Sequence, residues 1–250
     1  MVKAVLFDFH NTLVISDHWL TLEIHTLPRH VLHRLHKMGL APYSPELADR
    51  AEEMYRQVRL EVHRTGQEVD AVTGVNTALK FMNLSVSPEV VGNIIEGLQR
   101  ECLDGIELQA GAVDLLDSLR DMGMVMGVVS NAAYGAFVHW GLHKLKLRHY
   151  FQTVVTSDSS GYYKSRPEIF WEVLRDLGHT PADSVHIGDS YKFDILGAKK
   201  AGLRAIYLDL GRNEEMSEVF PDAVVHSLPE VLPIVEGWNG KEDTGPGQLI

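Results

Sequence analysis

At 250 residues the chain is long enough for one sizeable core, or for a core and a smaller module. Its apolar and charged fractions, 45% and 23%, are those of an ordinary globular protein, and a net charge of −11 with no long run of one sign disfavours nucleic acid and acidic membranes as partners. The single cysteine, Cys102, excludes an intrachain disulfide and a thiolate zinc cluster, and with no leader, lipidation motif or membrane span to be read, a cytoplasmic home is expected.

In chain order, the first predicted strand is "KAVLFDF", residues 3–9, an apolar run with one aspartate, Asp8, near its end. Residues 16–103 then offer no convincing strand. Apolar side chains recur there at helical spacing: Leu20, Ile24, Leu27, Val31, Leu35 and Met38, then Leu47, Ala51, Met54, Val58 and Val62. Pro28 should bend or divide the first of these helices. "PYSPE" and "HRTGQE" supply breaks, and two more helices are expected over 72–82 and 88–103. Strands return as "MVMGVVS", "TVVTS", "SVHIGD" and "RAIYL", mostly continuous apolar runs of the kind buried on both faces of a parallel sheet. Between them, helices are predicted over 112–122 and 194–201, each followed by glycine, and over 167–178, opened by Pro167 and stopped by Gly178. The alternation implies a doubly wound α/β parallel-sheet (Rossmann-like) core from residues 1–14 and 104–237, an inserted α-helical cap domain over 15–103, and a flexible tail over 238–250.

In such a sheet, ligands bind beyond the carboxyl ends of the strands, where strand order reverses. Four predicted strand ends carry polar residues of related chemistry: Asp8; Ser130 and Asn131; Lys164, shortly after the third; and Asp189 with Asp194. A carboxylate nucleophile, a hydroxyl and backbone N–H for phosphoryl oxygens, a cation, and two carboxylates able to hold Mg²⁺ are the parts of a phosphoryl-transfer site. The metal matters because a carboxylate approaching a phosphate dianion is repelled, and a divalent ion with Lys164 offsets that repulsion.

Through these four ordered motifs the chain resembles the haloacid dehalogenase-like (HAD) hydrolase superfamily, in particular members with an all-helical cap inserted after the first motif. That family's D-x-D-x-T reads here Asp8-Phe9-His10-Asn11-Thr12. The resemblance implies that Asp8 is the nucleophile and becomes an aspartyl-phosphate, and that Thr12 orders its loop. It implies that Ser130, the Asn131 backbone and Lys164 hold the phosphoryl group. Asp8, the His10 backbone carbonyl, Asp189 and Asp194 would organise Mg²⁺. The implied activity is Mg²⁺-dependent hydrolysis of a small phosphorylated metabolite, by a monomer or homodimer.

The first motif departs from the family at its third position, where the usual acid/base aspartate is His10. Imidazole, with an ordinary pKa near 6.5, can act as acid and base near neutrality. Asp8 favours its cation and bound Mg²⁺ opposes it, so the sequence leaves the sign of the shift open. His10 is expected to transfer protons in place of the aspartate; the competing reading is a space-filling residue and a long-lived phosphoenzyme. Asn11 replaces a glycine often found in this turn and tolerates left-handed backbone angles. Arg166 is expected to be a solvated loop residue. Cleavage of C–halogen (2-haloacid dehalogenase) or C–P (phosphonatase) bonds on the same scaffold stays as an alternative, as does low-turnover binding of a phospho-ligand. Asp189 argues against the dehalogenase, and neither cap lysine, Lys37 or Lys80, lies in a phosphonatase-like motif. His18, His25, His30, His33, His36 and His63, and the pair His139 and His143, are expected to pack or face solvent rather than bind zinc, since no third ligand or H-E-x-x-H frame accompanies them. Residues 15–19 and "HRTGQE" are candidates for substrate selection.

Overall fold

In the computed structural model, which describes residues 1–212 and 217–240, the first strand, β1 (Ala4–Phe7), is buried on both sides. Val5 and Phe7 join one apolar cluster, and Ala4 and Leu6 join another. That is the period-two division of a strand in the middle of a covered sheet. The chain continues through β2 (Val14–Ile15), β3 (Glu107–Leu108), β4 (Val125–Ser130), β5 (Thr153–Thr156), β6 (Ser184–Gly188), β7 (Arg204–Leu208) and β8 (Ala223–Val225). Six of these form a parallel sheet in the order β5-β4-β1-β6-β7-β8. The chain steps outward from β1 to β4 and β5, then returns to β6 on the other side, so strand order reverses at β1. The five expected strands are all present. β8 is an addition, a three-residue edge strand too short to register as an apolar run.

The regular elements between residues 17 and 102 are helices: α1 (Asp17–Thr21), α2 (Leu27–Lys37), α3 (Pro45–Thr65), α4 (Ala71–Phe81) and α5 (Pro88–Cys102). Their starts are written in the sequence. The side chains of Ser44, Asp70 and Ser87 accept backbone N–H groups from the first turns of α3, α4 and α5, and proline opens two of the three. Gly66, in a left-handed conformation, ends α3. Pro28 divides the first predicted helix as expected, and the form of the division is a π turn over Leu22–Thr26, in which the Leu27 N–H bonds the Leu22 carbonyl.

The remaining helices are α6 (Ala112–Asp121), α7 (Ala136–Lys144), α8 (Ser157–Ser160), α9 (Glu168–Leu177), α10 (Leu196–Lys200) and α11 (Val231–Gly240). A plain helix was expected from 194; instead a second π turn, Tyr191–Ile195, precedes α10. The tail was expected to begin at 238, yet α11 runs to Gly240 and the Asn239 amide bonds both the N–H and the carbonyl of Val2 (2.6 and 3.0 Å). The rest of that segment, 241–250, lies outside the described residues.

The two chain segments that join the helical insert to the sheet pair with each other as the antiparallel ribbon β2–β3. The insert's apolar core is continuous with that on one face of the sheet. Trp19 bridges them, stacked on Phe137 at 4.6 Å between ring centroids and set edge-on to Phe9 at 6.1 Å. Among the described residues, no helix is long and apolar enough to cross a membrane.

Candidate active site

Strand order reverses at β1, and Asp8 is the first residue beyond it, its N–H held by the Ile187 carbonyl of β6 (2.9 Å). The loop then turns sharply. Asn11 adopts φ 60° and donates to the Val14 carbonyl (2.6 Å), so the asparagine fills the left-handed position in place of glycine. Around this loop, a cavity of about 170 Å³ lies between the sheet's carboxyl edge and the insert. That is smaller than the roughly 300–1,000 Å³ of sites for drug-sized ligands.

Seven of the eight sequence-predicted site residues line this cavity: Asp8, His10, Ser130, Asn131, Lys164, Asp189 and Asp194. Lys164 Nζ bonds Asp8 Oδ1 at 2.6 Å and Asp194 Oδ1 at 2.5 Å, and the lysine is only 3% exposed. Its backbone N–H is fixed by Asn131 Oδ1 (2.8 Å), which ties the second and third motifs together. Thr12 is the eighth. It is fully buried, does not line the cavity, and its hydroxyl has no hydrogen-bond partner among the described residues.

Asp8, Asp189 and Asp194 each bring a carboxylate oxygen within 4.8 Å of the others, all buried. Burial, then the charges of Asp8 and Asp194, push Asp189 up to about 8 against the pull of Arg212. Burial also raises Asp8, opposed by Lys164. Burial works to raise Asp194 too, but Lys164 and His186 outweigh it and hold the carboxyl at about 2. Burial works to lower Lys164, but Asp194 and Asp8 outweigh it and lift its pKa. Three carboxylates that resist joint ionisation, all hard oxygen donors, form a set suited to Mg²⁺, whose charge would relieve their mutual repulsion.

His10 is 8% exposed and lies against Trp19, with ring centroids 5.5 Å apart. Burial lowers its pKa to about 4 despite a hydrogen bond to the Ser16 backbone, so the ring is neutral at pH 7 and its Nε2 has no partner among the described residues. The sign that the sequence left open is therefore downward.

Sequence reasoning missed four residues. His186 hides inside the apolar run of β6, where its Nε2 sits 2.8 Å from Asp194 Oδ1. Arg212, beyond β7, pairs with Asp189 Oδ2 at 2.5 Å. Glu23 lines the cavity from the insert, its Oε1 accepting the Ala133 N–H at 2.9 Å. Arg59 lines it too, paired with Glu68 (2.7 Å). Only the charges of Glu23 and Arg59 in otherwise apolar helical faces signalled them. The loop "HRTGQE" pairs with the loop before Lys164 through Tyr163 N–H to Gly66 O (3.0 Å) and Glu68 N–H to Gly161 O (2.9 Å). Arg166 stays off the cavity, paired with Glu168 at 2.5 Å. Among the described residues no histidine joins a metal-binding cluster, though His63 lines the cavity against Tyr163 and Phe193. Neither Lys37 nor Lys80 lines it.

The family model for haloacid dehalogenase-like hydrolases matches residues 2–202. A glyceraldehyde 3-phosphate phosphatase of Methanopyrus kandleri is 28% identical over 94% of this chain and 97% of its own length. The crystal structure of a HAD phosphatase from Thermococcus onnurineus superposes with a TM-score of 0.67 at 25% identity, covering 94% of this chain and 99% of that one. A 2-haloacid dehalogenase from Pseudomonas syringae superposes with a TM-score of 0.71 at 22% identity, covering 95% and 100%, a likeness of fold.

Proposed function

The chain belongs to the haloacid dehalogenase-like hydrolase family and is a phosphoric monoester hydrolase; from that premise we propose that it is a Mg²⁺-dependent phosphatase of a small metabolite, working through an aspartyl-phosphate on Asp8. The observation that supports this most is the placement of Asp8 at the strand-order reversal, 2.6 Å from Lys164 and beside two further carboxylates. Asp8, the His10 carbonyl, Asp189 and Asp194 would hold the metal, which when bound neutralises charge on the transferring group. Asp8 attacks phosphorus, the P–O bond to the alcohol breaks, and the departing alkoxide takes a proton from solvent water. Ser130, the Asn131 backbone and Lys164 hold the phosphoryl oxygens, and His186 keeps Asp194 turned toward Lys164. Water then attacks the phosphorus, its proton passes to His10 Nε2, and Asp8 is released. Thr12 packs the loop from behind.

A neutral His10 suits the second step better than the first, since little imidazolium is present at pH 7 to protonate an alkoxide. Aryl phosphates, whose phenolates leave without a proton, should therefore turn over faster than alkyl phosphates, and His10→Asp should narrow that gap. The net charge and the single buried cysteine fit a cytoplasmic enzyme. The test is release of inorganic phosphate from an aryl phosphate with Mg²⁺, and trapping of a phosphoryl adduct on Asp8 by mass spectrometry. Halide release from a 2-haloacid without metal would reject the reading.

A further inference from the structure

Three polar atoms of cavity-lining residues are buried without a hydrogen-bond partner among the described residues: His10 Nε2, Trp19 Nε1 and Glu23 Oε2. The mechanism uses the first and leaves the other two. Trp19 and Glu23, 2% and 6% exposed, stand four residues apart on one helical run, Trp19 in α1 and Glu23 in the π turn that follows. Glu23 is anchored by the Ala133 N–H, two residues past Asn131, which fixes its carboxyl beside the phosphoryl-binding turn. An indole N–H only donates and a carboxylate oxygen accepts. An alcohol hydroxyl does both, so hydroxyls on a bound substrate can answer the two atoms.

Charge narrows the choice further. The two guanidinium groups lining the cavity are already paired, Arg59 with Glu68 (2.7 Å) and the Val69 carbonyl (2.9 Å), and Arg212 with Asp189 (2.5 Å). Burial lowers the pKa of His63, so it adds little positive charge at neutral pH. Burial pushes Glu23 up to about 7, so near neutrality it is present both as acid and as carboxylate. A second anion on the substrate would meet that carboxylate at like charge, with the neighbouring cations already engaged.

We propose that Glu23 and Trp19 form a leaving-group subsite that selects phosphate esters of short uncharged alcohols carrying a free hydroxyl, and that rejects esters carrying a second anion. The inference rests on the phosphatase reading and goes further by naming the substrate class. A site with a buried acceptor discriminates strongly against ligands that leave it unpaired.

The test is kcat/KM with Mg²⁺ for glycerol 3-phosphate, ethyl phosphate, 2-phosphoglycolate and an aryl phosphate, in the native chain and two variants. Glu23→Gln keeps the shape and an oxygen for the Ala133 N–H, but removes the charge and replaces the free acceptor with a donor. The native chain should prefer glycerol 3-phosphate to 2-phosphoglycolate by at least about tenfold. That ratio should fall about tenfold in Glu23→Gln, chiefly through a lower KM for 2-phosphoglycolate. In Trp19→Phe, which deletes the N–H, the preference for glycerol 3-phosphate over ethyl phosphate should drop about five- to tenfold. Either ratio left unchanged in its variant, or a native preference for 2-phosphoglycolate, overturns the subsite while aryl phosphate turnover keeps the phosphatase reading intact. Absence of Mg²⁺-dependent aryl phosphate turnover in the native chain overturns that reading and the subsite with it.

Discussion

The strand ends and the helical insert meet the cavity in opposite states. On the sheet side, Lys164 is gripped by Asp8 and Asp194, Asp194 by His186 and the Ser190 N–H, and Asp189 by Arg212. On the insert side, Arg59 and Glu68 answer each other, but Trp19 Nε1 and Glu23 Oε2 answer nothing within the described residues. The difference separates two tasks. Groups that stabilise a reacting phosphoryl are most effective when held in place beforehand, because no reorganisation is needed as charge moves. Groups that choose a substrate discriminate best when the correct substrate alone completes them.

The severest attack on the sheet side is Asp8→Asn. It should lower kcat by at least about 10⁴-fold and abolish the phosphoryl adduct; substantial turnover in the purified variant would show that the preset strand ends are not where the chemistry happens. Lys164→Met comes next. It removes the cation between two buried carboxylates and should lower kcat by about 10²–10³-fold, with Asp8 rising further in pKa and the acidic limb of the pH–rate profile moving up. An unmoved limb would mean the lysine does not hold Asp8 ionised.

On the insert side, Glu68→Ala strands the buried Arg59 guanidinium and should destabilise the fold by about 3–5 kcal/mol, measured by urea unfolding. The same variant frees a cation at the cavity, so it should also improve 2-phosphoglycolate as a substrate. The smallest effect is expected at Glu23. Its carboxyl titrates near 7 when folded against an ordinary 4.5, so the folded state binds the extra proton between those values. Stability from this group is complete below 4.5 and is lost as pH rises through 7. The ionised residue therefore costs on the order of 3 kcal/mol at pH 8. Glu23→Gln should melt roughly 5–10 °C higher than the native chain at pH 8, the gain shrinking toward zero near pH 4.5. A gain independent of pH would contradict the assignment of a strained carboxyl.

The sheet and its charged strand ends were legible because both leave a mark along the chain. An apolar run stops, and a carboxylate, serine or lysine stands where it stops; Asp8, Ser130 and Asp189 all read this way. The insert's helices were legible from apolar spacing and from the breaks "PYSPE" and "HRTGQE" that bracket α3. What the spacing could not convey was which face meets the cavity. Leu20 and Ile24 read as core positions, yet they line the cavity beside Glu23. His186 was hidden because a polar residue inside a strand leaves no gap in the pattern when a partner on another element satisfies it. Arg212 lies beyond β7, and only the folded chain brings it to Asp189. The close approaches that require two glycines show only in the fold: a Cβ on Gly197 would collide with the Lys164 carbonyl, and one on Gly188 with the Asp194 side chain.

The two π turns, Leu22–Thr26 and Tyr191–Ile195, carry Glu23 and Asp194 and so stand on opposite walls of the same cavity. Each packs about one residue more into its turn than an α-helix would, so loss of a single residue from either would let the turn close to regular winding while the helix beyond it keeps its angular register. In the first turn, Leu27, Val31 and Leu35 would keep their apolar seats, and the change would fall on the residues of the turn itself, Glu23 among them. A lone codon deletion in this short segment should thus spare the fold more than one inside α2, and its cost should appear at the cavity instead.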